Sequence, residues 1–245
     1  MSLETSLDNN TPNIDKRNIQ RVFGRRLSRP LNGIRKQAIE EVLPKLAVPE
    51  AKMTEARDIT TEALFGDAPE VLWLEVGFGS GEHVIGVMAQ EPETAFIAVE
   101  PFINGMATFL KDLPAADHAR TRVHMDDAMM LVRSMADNML DGVYVLNPDP
   151  WPKKRHHKRR IISQDNLKEF HRVMKDGAQL VMATDVDDLA EWMVTQTMMS
   201  GLFEWSAESA SDWQTKPENW VTTRYEEKGA NHSSKRQSYL LFRKI

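Results

Sequence analysis

Residues Val71–Val76 (VLWLEV) make a short apolar run that ends in Gly77-Phe78-Gly79-Ser80-Gly81 and passes at once into EHVIGVMAQE. No other stretch restricts the fold as tightly. Glycines at alternate positions let the backbone turn sharply and let a ligand approach with no Cβ in the way. A strand that turns through such a loop into a helix belongs to an open α/β sheet, whose ligand crevice lies at the carboxyl ends of the strands. The chain then repeats the rhythm. Ala95–Glu100 (AFIAVE) precedes FINGMATFLKDL, and Arg120–Met125 (RTRVHM) precedes DAMMLVRSMA. Gly142–Leu146 (GVYVL) and Gln179–Ala183 (QLVMA) enclose a predicted helix over Gln164–Met174. Asp187–Met199 reads as a further amphipathic helix, and Phe203–Trp205, Trp220–Thr223 and Ser238–Phe242 as late strands. Short apolar strands alternating with helices predict an α/β fold, a mostly parallel sheet covered on both faces. The pattern starts near residue 70. Residues 70–245 are therefore read as the α/β domain and 1–18 as a disordered polar tail. Residues 19–69 are read as a basic extension with a helix over 31–46, where Ile34, Ala38, Ile39, Val42 and Leu46 recur at helical spacing.

Composition removes several chemistries. The 245 residues include no cysteine, which excludes a disulfide scaffold, a zinc ribbon, an iron–sulfur site and a thiol nucleophile. His156 and His157 have no second pair at metal-ligand spacing, so no metal is expected. No apolar run approaches the ~20 residues of a membrane span, and the N-terminus lacks the apolar core of a signal peptide. A cytoplasmic protein with no membrane partner is expected, as a monomer or homodimer. The net charge of −5 argues against nucleic-acid binding until it is divided by position. Residues 16–36 hold eight Lys or Arg and no acid, and residues 153–160 (KKRHHKRR) hold six and no acid. Seventeen basic residues then face 36 acids in the remainder. A concentrated basic run on an acidic body binds a polyanion at one place while the remaining surface repels it.

The glycine loop departs from the dinucleotide fingerprint G-x-G-x-x-G, because its sixth position is Glu82. An acid at a helix start repels a pyrophosphate. A cofactor with a sulfonium and an ammonium, S-adenosylmethionine, suits the strand-end Glu75 better than NAD does. Glu100 closes the next strand nineteen residues after Gly81, where a carboxylate can accept both hydroxyls of a ribose. Asp126-Asp127 follows the third strand. Asp127 is favoured there to accept from an adenine amino group, although an aspartate at that position also caps a helix. Glu75, Gly77, Gly79, Gly81, Glu100 and Asp127 are thus the candidate cofactor set. Beyond the fourth strand, Asn147-Pro148-Asp149-Pro150-Trp151-Pro152 is a rigid loop, since each proline fixes φ and lacks a donor. It presents Asp149 and Trp151 beside the basic run, an arrangement that fits a nucleobase target.

The string PDPWPKKRHHKRR, Pro148 to Arg160, resembles the signature of the bacterial-type tRNA (guanine-N7-)-methyltransferases, as does LEVGFGSGEH, Leu74 to His83. Thr184-Asp185 and the segment Thr223-Arg224-Tyr225-Glu226-Glu227-Lys228-Gly229 are similar to the family's later motifs. The resemblance runs from about Phe23 to Arg243. It implies a Rossmann-like class I methyltransferase fold with a mostly parallel seven-stranded sheet. It also implies S-adenosylmethionine as co-substrate, with no metal, and a guanine in the variable loop of tRNA as target. By the same resemblance Glu75, Glu100, Asp127 and Asp149 hold or line the cofactor site, and Lys153, Asp185 and Thr223, Arg224, Tyr225 and Glu226 meet tRNA. Asp149 is the catalytic candidate. Lys153, Arg155, Arg159 and Arg160 are expected on RNA phosphates. Two places depart from the pattern: Asn147 stands where an aromatic is usual, and the segment after Gly229 lacks the expected Gly-His and later Asp. Asn147-Pro-Asp-Pro-Trp also resembles the Asn-Pro-Pro-aromatic loop of exocyclic-amine methyltransferases, although Asp149 interrupts it. A non-enzymatic RNA-binding protein on a relict methyltransferase fold is the other alternative.

Overall fold

The computed structural model describes residues 30–54, 56–227 and 236–245. The expected tail over 1–18, the basic stretch as far as Arg29, and Lys228 and Gly229 lie outside the described residues. Among those described, seven strands form one sheet: β1 (Val71–Val76), β2 (Thr94–Val99), β3 (Thr121–His124), β4 (Leu140–Leu146), β5 (Met174–Thr184), β6 (Phe203–Trp205) and β7 (Ser238–Lys244). Their order is β3-β2-β1-β4-β5-β7-β6. The first five run parallel, while β7 is antiparallel to both β5 and β6. The helices are α1 (Gly33–Glu41), α2 (Leu43–Leu46), α3 (Thr61–Phe65), α4 (Glu82–Gln90), α5 (Ile103–Asp112), α6 (Ala128–Ser134), α7 (Gln164–Val173), α8 (Asp187–Ser200) and α9 (Ala210–Gln214). The seven-stranded, mostly parallel class I sheet implied by the resemblance is present.

The period of two on β2 shows how the sheet divides the core. Phe96 and Ala98 join Val84, Met88, Met106, Phe109 and Leu110 on one face. Ala95, Ile97 and Val99 join Leu131, Met135, Phe170, Val173 and Leu180 on the other. Every residue of β2 is buried, as a strand between two neighbours and two helical layers requires. Each fully buried Phe or Leu contributes about 1.5–3 kcal/mol. Ala38 and Leu46 pack into the first cluster, and Val48, Ile59 and Leu64 into the second, so the segment before β1 shares the same core.

Two elements differ from the sequence reading. The helix expected over 31–46 is split into α1 and α2, because Pro44, in the first turn of α2, fixes φ and cannot donate. Asn32 caps α1, its Oδ1 accepting from the Arg35 amide at 3.1 Å. Trp220–Thr223 is not a strand; it is irregular and runs into one helical turn at 224–227. Its polar and aromatic groups find partners off any ladder. The Trp220 indole donates to Glu226, and its ring lies 5.6 Å from His83 and 4.9 Å from Tyr239.

The strand order reverses between β1 and β4, and a crevice opens at their carboxyl ends. Every loop that the sequence nominates for chemistry leaves the sheet on that side.

Candidate active site

Gly77, Gly79 and Gly81 follow β1 with φ of 75°, 61° and 79°, a left-handed conformation that side chains other than glycine rarely adopt. A Cβ on Gly81 would also overlap the Phe109 ring. The loop is pinned to β2, since the Gly77 amide donates to the Val99 carbonyl at 2.8 Å. Glu100 then fastens it from the side. Its Oε2 accepts from the Gly79 amide at 2.7 Å and its Oε1 from the Phe102 amide at 2.9 Å. Burial holds the Glu100 carboxyl above its ordinary value; the two amide bonds oppose that shift, and the charges of Asp149 and Glu75 add to it.

Glu75 sits at the end of β1, 2% exposed, with its Oε2 2.6 Å from His83 Nδ1 on α4. The imidazole meets the Tyr144 ring edge-on at 4.6 Å. Asp127 caps α6, its Oδ1 accepting from the Met129 amide at 2.8 Å, and Asp126 Oδ1 accepts from the Asp127 amide. Asp149 stands exposed beyond β4, but partial desolvation still raises its carboxyl above the ordinary aspartate value. The loop is bent at both ends: Asn147 has φ of 48° and Trp151 of 44°. Such backbone is costly for most residues and collects at functional sites. Asparagine tolerates it better than an aromatic does, and the Asn147 amide oxygen accepts from Gln237 Nε2 at 2.9 Å.

These side chains frame two adjoining cavities. One, of about 390 Å³, is lined by Glu100, Pro101, Asp126, Asp127, Pro148 and Asp149. The other, of about 400 Å³, is lined by Glu75, Ser80, His83, Thr223, Arg224 and Tyr225. Gly77 and Asn147 line both, so the two meet beneath the glycine loop and the proline-rich loop. Carboxylates crowd this crevice, and the charges of Asp149 and Glu75 add to the rise that burial gives the Glu100 carboxyl. A cationic group placed among them relieves their repulsion, which is the charge a sulfonium and an ammonium carry. Among the described residues no cluster of three or more His, Asp or Glu is arranged to hold a metal ion.

Lys154–Arg159 of the basic run form a short 3-10 helix between Asp149 and Ile161, both of which line the first cavity. Lys153 and Arg155 are exposed there. The Arg159 guanidinium lies 4.9 Å above the Trp151 ring. Arg160 does not reach solvent. It is 2% exposed, pairs with the Asp188 carboxylate, donates from Nε to the Pro150 carbonyl at 2.9 Å and stacks on Trp192. The expectation that Arg160 holds a phosphate is thereby corrected; it anchors the proline-rich loop to α8. Tyr225 Oη donates to Asp185 Oδ1 at 3.4 Å. Asp185 and Glu226 line neither of the two cavities, and burial raises the Glu226 carboxyl despite its bonds from the Trp220 indole.

Two contributors, His83 and Gly105, carry no role in the sequence reading, and Glu82 carries there only the exclusion of a pyrophosphate. His83 positions Glu75. Glu82 accepts from the Arg224 amide at 2.7 Å. Gly105 on α5 makes room for the glycine loop, since a Cβ there would overlap the Gly79 carbonyl oxygen. Glu82 and His83 both lie inside the motif Leu74 to His83, whereas Gly105 lies outside it.

The strand order and the acid-lined crevice define a class I methyltransferase, and the solved 16S rRNA methyltransferase KamB shares the fold with a TM-score of 0.52 at 16% identity, over 80% of this chain and 94% of that one. Residues 69–239 match the family model described as "Putative methyltransferase". The chain is 39% identical over 223 residues to the tRNA (guanine-N(7)-)-methyltransferase of Rhizobium johnstonii, covering 91% of this chain and 94% of that one. It is 40% identical to the Agrobacterium fabrum enzyme of the same name over 90% and 93% of the two chains, and 34% identical to that of Rhodospirillum rubrum over 91% and 88%. The chain belongs to the tRNA (guanine-N(7)-)-methyltransferase family.

Proposed function

We propose that this enzyme transfers the methyl group of S-adenosylmethionine to N7 of a guanine in the variable loop of tRNA. The observation that carries the reading is the meeting of the two cavities at Gly77 and Asn147. One is walled by Glu100, Asp127 and Asp149, and the other by Glu75 and the Thr223–Tyr225 segment. The names of the relatives support the choice of reaction and substrate.

In this reading S-adenosylmethionine supplies an electrophilic methyl group on a sulfonium. Glu100 accepts from the ribose hydroxyls with the lone pairs that its two amide donors leave. Asp127 faces the adenine, and Glu75, fixed by His83, faces the cationic end. Guanine N7 carries an in-plane lone pair, so no base has to remove a proton before attack. The lone pair forms the new carbon–nitrogen bond while the pair of the breaking carbon–sulfur bond returns to sulfur. Catalysis is therefore mainly alignment, which contributes roughly 7–11 kcal/mol when the reacting atoms are held in line. Positive charge passes into the guanine imidazole ring, and Asp149 is the carboxylate placed to stabilise it or to hold the base by its N1–H and N2–H edge. Lys153, Arg155 and Arg159 meet the RNA phosphates, and the target guanine leaves its stack to enter.

The test is incubation of the purified enzyme with methyl-labelled S-adenosylmethionine and tRNA lacking the modification, followed by borohydride–aniline cleavage. Label incorporation with scission in the variable loop is expected. Label without scission, or label recovered as N6-methyladenine, would sink the N7 assignment in favour of the exocyclic-amine chemistry.

A further inference from the structure

Glu82 and Gly86 lie one helical turn apart on α4, and both are occupied by the same distant segment. Glu82 Oε2 accepts from the Arg224 amide at 2.7 Å, and its Oε1 lies 3.1 Å from Arg224 Nε. At Gly86 a Cβ would overlap Val221 Cγ1 and fall 2.9 Å from its Cγ2. Between them in sequence, the His83 ring faces Trp220 at 5.6 Å. Three consecutive contacts thus lay residues 220–224 along the outer side of the helix that follows the glycine loop.

Those contacts decide where the segment goes. Thr222 is held by Lys216 Nζ at 2.8 Å, and Thr223 by the Glu226 and Glu227 amides. All of these bonds are local, so they shape the segment without placing it on the body. Trp220 against Tyr239 and Tyr225 Oη on Asp185 hold side chains at its two ends, and α4 holds the stretch between them. The Arg224 side chain is 77% exposed, so its ion pair with Glu82 is worth little. The amide bond and the Gly86 notch are the fixed points. Through them Thr223, Arg224 and Tyr225 come to line the cavity that Glu75, Ser80 and His83 line from the other side.

We propose that Glu82, with the Gly86 notch, is a positioning residue for the segment Val221–Tyr225, which walls the tRNA side of the site. It registers that segment against the helix carrying the cofactor loop; the inference rests on the function proposed above. The Glu at the sixth position of the glycine loop then serves substrate alignment, in addition to excluding a pyrophosphate cofactor.

The experiment compares Glu82→Ala, Glu82→Gln and Gly86→Ala with the parent enzyme. It measures kcat and KM for tRNA in the methylation assay and S-adenosylmethionine affinity by calorimetry. Glu82→Ala and Gly86→Ala are expected to lower kcat/KM for tRNA about tenfold or more, with cofactor affinity within twofold of the parent. Glu82→Gln, whose amide oxygen still accepts from the Arg224 amide, is expected to retain more activity than Glu82→Ala. Adding Val221→Ala to Gly86→Ala removes the obstructing methyls and is expected to restore most of the loss. The cofactor isotherm shows that each variant is folded, and the suppressor separates positioning from general destabilisation. Unchanged tRNA kinetics, cofactor affinity falling in step with kcat/KM, or no rescue by Val221→Ala would overturn the assignment. A parent enzyme that leaves guanine N7 unmarked would instead overturn the function beneath it.

Discussion

Asp149 combines two properties that seldom coincide: it is exposed, yet its carboxyl is held above the ordinary aspartate value by partial desolvation. The bent backbone at Asn147 and Trp151 and the prolines on either side fix its direction. A charge that stabilises only the late stages of transfer affects turnover more than binding. Asp149→Ala is therefore expected to lower kcat by about 10²–10³, the usual effect of removing one preorganised electrostatic group, while lowering S-adenosylmethionine affinity far less by calorimetry. Unimpaired turnover of that variant would remove Asp149 from the mechanism. The pH dependence has a definite sign. The working form is the carboxylate, so activity is present above the raised pKa and is lost as pH falls through it. The acid limb of single-turnover rates should lie above the ~3.9 of a free aspartate; a limb at or below that value would contradict the role. Arg160 shows the opposite outcome at the same scale. It sits in a basic run that reads as one charged stretch, but it is buried against Asp188, Pro150 and Trp192. Sequence shows the charge; only the packing shows which members reach solvent.

At the scale of elements, the strand–glycine loop–helix unit was legible because its signals are local: an apolar run, alternate glycines, then helical spacing. The carboxylates at the ends of β1, β2 and β4 were legible for the same reason, since each terminates or follows a recognisable strand. What was not legible depends on contacts across long sequence separations. Trp220–Thr223 carries the aromatic and β-branched residues of a strand, but Glu82, His83 and Gly86 give it a docking surface on α4 instead of a ladder. Gly105 looks like an ordinary interruption of α5 until Gly79 is brought against it. A helix-interior Gly→Ala change usually stabilises by about 0.5–1 kcal/mol. Gly105→Ala should do the reverse here, because the new Cβ would overlap the Gly79 carbonyl oxygen and fall 3.3 Å from Glu100 Cγ. The loop and its Glu100 clamp must shift together. S-adenosylmethionine affinity is expected to fall at least tenfold by calorimetry, with tRNA binding in the absence of cofactor retained. Unaltered cofactor affinity would show that the loop is not held by this contact.

Over the whole molecule, the net charge of −5 is the sum of two opposed regions. Lys153 and Arg155 stand exposed on the rim beside Asp149 and near the mouth of the crevice, whereas the crevice itself is lined by Glu75, Glu100, Asp126 and Asp127. A polyanion is attracted to the rim and repelled from the acid-lined floor, which favours the phosphates outside and the cationic cofactor within. The acidic remainder discourages the many unproductive ways in which tRNA could lie on the surface. Rim contacts of this kind release counterions, so binding should weaken linearly in log–log terms as salt rises, by roughly 0.7–0.9 in slope for each phosphate neutralised. Lys153→Glu with Arg155→Glu is expected to weaken tRNA binding strongly at low salt and to flatten that slope by about two contacts' worth. The difference from the parent should shrink as salt rises, because screening removes the interaction that distinguishes them. Arg160 supplies the internal contrast: being buried, it contributes no phosphate contact, so its loss should alter the melting temperature rather than the slope. Filter-binding or anisotropy titrations over a salt series measure both. An unchanged slope in the double variant would place the RNA elsewhere on the surface, and the charge segregation would then have no bearing on how tRNA is received.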